Sequence, residues 1–137
     1  MTGMMAASAD IGVTRIGQIA FTVSNLAGAV AFYRDVLGLR FLFEAPPSLA
    51  FFDCGGTRLM LAPPEREGAF AGQQFNSILY YTVADIQAAA SALSGRGVEF
   101  DQPPHIVARL ATVDVWIATF RDPDGHPLAL MSEVPRA

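Results

Sequence analysis

Few side chains in this 137-residue chain are equipped for chemistry: two histidines, one cysteine, and scattered carboxylates and arginines. His105 follows Pro103-Pro104 and, as an imidazole, could serve as a general acid or base. The blander reading, a surface histidine after a proline turn, is preferred. His126 follows the turn Asp122-Pro123-Asp124-Gly125 and is expected to face solvent. Cys54 has no adjacent base or cation in sequence to generate a thiolate, so it reads as inert. Asp53 and Arg58 flank a Gly55-Gly56 turn and come to oppose one another, as a structural ion pair rather than a ligand clamp. Arg109 and Asp114 could line a rim. No Ser-His-Asp order, phosphate loop or CxxC is present.

The elements that must position these groups occur twice. Thr22-Val23-Ser24-Asn25-Leu26 is echoed by Thr82-Val83-Ala84-Asp85-Ile86. Each is followed by an apolar stripe at the spacing of one buried helix face: Leu26, Ala29, Val30, Tyr33, then Ile86, Ala89, Ala90, Leu93. Asn25 or Ser24 caps the first helix and Asp85 the second; Gly38 stops one, Gly95 or Gly97 the other. Strands are expected at Gly17–Val23, Arg40–Phe43, Leu49–Asp53, Thr57–Ala62, Ser77–Val83, Val98–Phe100, about Ile106–Leu110, Val115–Phe120 and Pro127–Met131. The result is an α+β domain of two modules, about residues 14–62 and 77–133. A Pro-bearing linker over 63–76 joins them, and a frayed leader over 1–12 precedes them.

Hairpin geometry assigns faces. A two-residue turn at Gly55-Gly56 sets Cys54 opposite Thr57 and Phe51 opposite Met60. Leu49, Phe51, Asp53, Arg58, Met60 and Ala62 then share one side, and Ala50, Phe52, Leu59 and Leu61 pack on the helices. Around the later turn, Ala129 is expected opposite Ala118 and Met131 opposite Trp116. That groups Trp116, Ala118, Phe120, Ala129 and Met131 on one face, although a slip of one residue would exchange the faces.

Composition narrows the partners. The chain is 52% hydrophobic and 16% charged, yet no apolar run is long enough for a membrane span. The surplus points to a greasy pocket or a dimer interface. A net charge of −4, with no Lys/Arg cluster, argues against nucleic acid. One cysteine excludes an internal disulfide and fits a reducing cytoplasm.

The segments Gln18-Ile-Ala-Phe-Thr-Val23, Ala31-Phe-Tyr-Arg-Asp-Val-Leu-Gly-Leu39 and Phe120-Arg-Asp-Pro-Asp-Gly125 with Leu128-Ala-Leu130 resemble the vicinal oxygen chelate superfamily. That superfamily includes glyoxalase I, bleomycin-resistance proteins and extradiol dioxygenases. The resemblance covers about residues 14–133. It implies two tandem βαβββ modules curling eight strands into an open cup, usually in a homodimer. Enzymes of the superfamily commonly hold a divalent metal with one side chain from each of four strands. Carried over one at a time, those positions fall at Gln18, Met60, Ile78 and Ala129. Only Gln18 offers oxygen to a hard cation, and Zn or Ni would need His, Cys or carboxylate. The metal site therefore reads as erased, and no cofactor is expected.

What occupies its place is apolar: Met60, Ile78 and Ala129, with Phe51, Trp116, Ala118 and Met131 on the same faces and Tyr80 beside Ile78. Met adapts to irregular ligands and Trp offers a stacking surface. With Gln18 and Arg58, these residues describe a metal-independent site for a small apolar or aromatic molecule. The alternative is an enzyme of the same superfamily, either metal-free with His105 as acid/base, or using a non-standard metal site.

Overall fold

The computed structural model describes residues 11–64 and 77–136. Residues 1–10 of the expected leader and 65–76 of the expected linker lie outside them.

Module 1 runs β1 (Gln18–Thr22), α1 (Leu26–Ala31, continuing as a π-helical turn over Phe32–Val36), β2 (Arg40–Ala45), β3 (Leu49–Cys54) and β4 (Thr57–Ala62). Module 2 repeats the order with β5 (Leu79–Thr82), α2 (Ile86–Gly95), β6 (Gln102–Arg109), β7 (Val113–Arg121) and β8 (Pro127–Pro135). Each builds a four-stranded sheet of the same topology, β1-β4-β3-β2 and β5-β8-β7-β6. In both, the first strand lies parallel to the last and the other pairings are antiparallel. This is the α+β architecture the sequence implies, two tandem βαβββ modules forming an open cup.

The repeated sequence acts through repeated caps. Asn25 Oδ1 accepts the Gly28 N–H and Asp85 Oδ1 accepts the Ala88 N–H, both at 3.0 Å. Each satisfies a backbone donor that a first helical turn leaves open. The helix stops use Gly38 at φ +83° and Gly97 at φ +95°, in the left-handed region that a side chain makes costly.

The two sheets share one core on their helix-bearing sides. Val23, Val30, Tyr33, Phe52 and Leu61 from module 1 join Ile86, Leu93, Phe120 and Leu128 from module 2 in a single buried cluster. Burial of each large side chain contributes roughly 1.5–3 kcal/mol, so the modules are held together by hydrophobic burial as well as by the chain.

Turn chemistry sets which residues face away from that core. Gly55 and Gly56, at φ +59° and +91°, form the tight turn, and β3 pairs β4 in the expected register, Phe51 with Met60 and Asp53 with Arg58. The β7–β8 register differs from expectation. Arg121 pairs with Pro127, Ala118 with Leu130 and Ile117 with Met131. This one-residue slip turns Trp116, Ala118 and Phe120 toward the helices, where Ala118 and Phe120 are core and Trp116 packs against it. The cause lies in the loop: Asp122 Oδ1 accepts the N–H groups of Asp124 and His126 at 2.9 Å each, folding Asp122 to His126 into the connection and leaving Arg121 in the ladder.

The expected strand over Val98–Phe100 does not form. Val98 and Phe100 instead pack on the core, and the backbone N–H of Val98 bonds back to Leu93 at 3.0 Å. Strand β6 starts earlier than expected and runs through Pro103-Pro104, which an edge strand tolerates because one side of its ladder is unpaired.

Candidate functional site

On the face of the first sheet opposite the helices, register places side chains in rows. Arg40, Asp53, Arg58 and Gln18 form one row across β2, β3, β4 and β1. Phe43, Phe51, Met60 and Ala20 form the next. The first row is polar and the second apolar, and Arg58 joins them: its guanidinium lies 5.5 Å from the Phe51 ring centroid, in cation–π range. Phe43 packs on the same ring at 4.8 Å between centroids. Asp53 and Arg58 are register partners, but the ion pair expected from the sequence is absent. Among the described residues, Arg58 has no carboxylate within ion-pair distance.

The corresponding face of the second sheet carries Tyr80, Ala129, Thr119 and Gln102 in one row. Met131, Ile117 and His105 follow in the next, with Thr82. Phe51, Met60, Tyr80, Ala129 and Met131 thus lie on the open faces, as does Ile78, whose side chain is 43% exposed just before β5. Trp116 and Ala118 do not; Ile117 and Thr119 stand in their place because of the β7–β8 slip.

A cleft of about 460 Å³ between the modules brings Arg58 and Tyr80 onto common walls with Ile19, Leu59, Leu79 and Tyr81. Its size falls in the range of small-molecule sites. Cys54 also lines it, with burial, then Asp53, pushing its thiol pKa up; this keeps the sulfur protonated and weakly nucleophilic. The Tyr81 hydroxyl is buried without a hydrogen-bond partner among the described residues, and burial raises its pKa above the ordinary phenol value.

The four positions that the resemblance assigns to a metal come out symmetrically. Gln18 stands two residues before Ala20, the partner of Met60, and Ile78 two residues before Tyr80, the partner of Ala129. Gln18 Nε2 lies 3.9 Å from Met60 Sδ. One amide, one thioether and two hydrocarbon side chains do not fit a divalent cation. Among the described residues, no cluster of three or more His, Cys, Asp or Glu side chains supplies another donor set.

His105 is half-buried on the open face of β6, paired with Ile117. Its Nδ1 lies 2.7 Å from the Pro103 carbonyl. A carbonyl only accepts, so Nδ1 carries the proton and Nε2 is the nitrogen left to meet a ligand.

His126 overturns its solvent-facing expectation. It is 5% exposed, its ring stacks on Phe21 at 4.4 Å between centroids, and Nδ1 lies 2.7 Å from Asp122 Oδ2. The same oxygen accepts from the Tyr33 hydroxyl at 2.7 Å. Burial works to raise the Asp122 pKa, but the hydrogen bonds from His126 and Tyr33 prevail and hold it below the usual carboxylate value. Sequence reasoning missed this network because Tyr33 and Phe21 lie far from the Asp122–His126 turn in sequence; an Asp opening a turn, with His four positions on, was the available signal. Arg109 and Asp114 pair at 3.4 Å at the far end of β6 and β7, where Arg136 also binds Asp114.

Comparison with known proteins gives a consistent picture. The family model described as Glyoxalase/Bleomycin resistance protein/Dioxygenase superfamily matches residues 15–130. The protein YraH of Bacillus subtilis (strain 168) is 29% identical over 117 residues, 78% of this chain and 89% of its own. Among solved structures, a lactoylglutathione lyase from Agrobacterium tumefaciens is similar at 23% identity and TM-score 0.70, covering 88% of this chain and 94% of that one. TnmS3, an antibiotic binding protein from Streptomyces sp. CB03234, is similar at 23% identity and TM-score 0.67, covering 90% and 99%. At these identities the two structures speak for the fold.

Proposed function

The chain belongs to the Glyoxalase/Bleomycin resistance protein/Dioxygenase superfamily, and from that premise we propose that it is a metal-independent binding protein. It holds a small apolar or aromatic molecule in the cup. The observation that carries this reading is the set of side chains at the superfamily's metal positions: Gln18, Met60, Ile78 and Ala129 together offer a cation one amide oxygen and a thioether, but offer an organic ligand a soft apolar surface. Phe51, Arg58, Tyr80 and Met131 extend that surface, and the cleft between Arg58 and Tyr80 has room for a small molecule.

The chain works as a homodimer in this reading, in the cytoplasm. Exposure of Phe43 at 46%, Ile78 at 43% and Tyr80 at 51% supports a second copy covering these open faces. Native mass spectrometry of protein purified without chelator tests the proposal. An organic compound that leaves on denaturation is the expected result; a stoichiometric transition ion held through Gln18 would overturn it.

His105 favours one second reading, an enzyme that uses the cup with Nε2 of His105 as proton carrier, since its Nδ1 is already committed to Pro103. His105→Ala would then abolish turnover and spare ligand affinity. In a pure binding protein it alters affinity alone.

A further inference from the structure

We infer that the molecule held by this protein carries an anionic group, a carboxylate or its like, on an apolar or aromatic body, and that Arg58 recognises it. This rests on the binding reading above and adds the chemical class of the ligand.

The inference stands on three observations. Among the described residues, Arg58 is the only charged side chain lining the cleft between the modules, which adjoins the Phe51–Met60 face without including it; its neighbours there are Ile16, Ile19, Leu59, Leu79 and the two tyrosines Tyr80 and Tyr81. Secondly, Arg58 is exposed and has no carboxylate within ion-pair distance among the described residues, although Asp53 is its register partner. An arginine kept for structure normally spends its donors on a fixed acceptor; here the guanidinium lies over the Phe51 ring instead. That contact orients the planar fork while leaving its N–H edge available, the arrangement suited to bidentate carboxylate binding.

The third observation is the order of the rows. Arg58 and Gln18 stand side by side on β4 and β1, and the row beneath them is Phe43, Phe51, Met60 and Ala20. A ligand whose ring lies on the aromatic and thioether row therefore presents its head group to a guanidinium and a carboxamide N–H. Arg40 flanks the same row from β2, so cations outnumber the single carboxylate of Asp53 there. In a chain of net charge −4, this locally positive row opposes the overall field and points to a negative ligand.

A matched pair of fluorescent probes tests this: 1-anilinonaphthalene-8-sulfonate, which is anionic, and N-phenyl-1-naphthylamine, its neutral counterpart. The full chain is expected to bind the anionic probe about tenfold more tightly, the scale of one charge-assisted hydrogen-bonded contact. In Arg58→Met the ratio between the two affinities collapses toward one, and in Arg58→Lys much of it survives. Met60→Glu, which puts a like charge beside the head group, weakens the anionic probe most. Equal affinities in the native chain, or a ratio unmoved by Arg58→Met, overturn the anion inference and leave the binding reading standing. Failure of both probes to bind the native chain removes both.

Discussion

At the scale of single residues, the tightest constraint is Asp122, whose two oxygens collect Tyr33, His126 and two backbone N–H groups. Tyr33→Phe strands part of that buried carboxylate and is expected to cost roughly 1–3 kcal/mol, read as a lower urea midpoint with unchanged slope. The pH dependence has a definite sign. The folded-state pKa of Asp122 is depressed, so its stabilisation is fully present above the unfolded value near 4. It is lost as pH falls through the lower folded value. Asp122→Asn is accordingly expected to start less stable at neutrality and to lose less on acidification than the native chain, in urea melts at pH 7 and below pH 4. The Asp122–His126 part of this network had a local signal in the turn, but the Tyr33 bond had none, since Tyr33 and Asp122 lie on separate elements and only the closed fold brings them together. Arg58 was legible as a cup residue but misjudged in its partner: register puts Asp53 opposite, while side-chain geometry takes the guanidinium to Phe51.

At the scale of elements, the contrast between the two hairpins explains what could be read. Gly55-Gly56 supplies two consecutive positive-φ residues, a demand few sequences meet elsewhere, so the faces of β3 and β4 follow from the chain alone. Gly56→Ala meets no steric contact and so isolates the backbone term, an expected loss of about 1–2 kcal/mol seen as a lower thermal midpoint. The Asp122–Gly125 turn lacks such a signature, because its closure depends on side-chain bonds from Asp122, and the face of β7 was therefore inverted. Ala118→Leu checks the corrected register. Ala118 is fully buried in the core, so overpacking there should destabilise by about 1–3 kcal/mol; Thr119→Leu, at a half-buried position on the open face, is expected to cost less.

At the scale of the whole molecule, the repeat predicts more than a fold. Both modules use the same cap, the same sheet order and the same parallel first-to-last pairing, which is why the architecture was readable while the ligand was not: the repeated positions build the scaffold, and the divergent ones line the cup. Association belongs to this scale. Sedimentation equilibrium is expected to give twice the 14.6 kDa chain mass, and Ile78→Glu, which puts a charge on an exposed apolar face, should shift the protein toward single chains.

The bond from Tyr33 to Asp122 reaches across most of the polypeptide, and so does the stack of Phe21 on His126. During synthesis on a ribosome, the first half emerges with its phenol and aromatic ring still waiting for partners that are translated later, in module 2. The two halves, similar enough to read as copies, are thus no longer interchangeable parts: module 1 completes these two contacts only with the loop between β7 and β8.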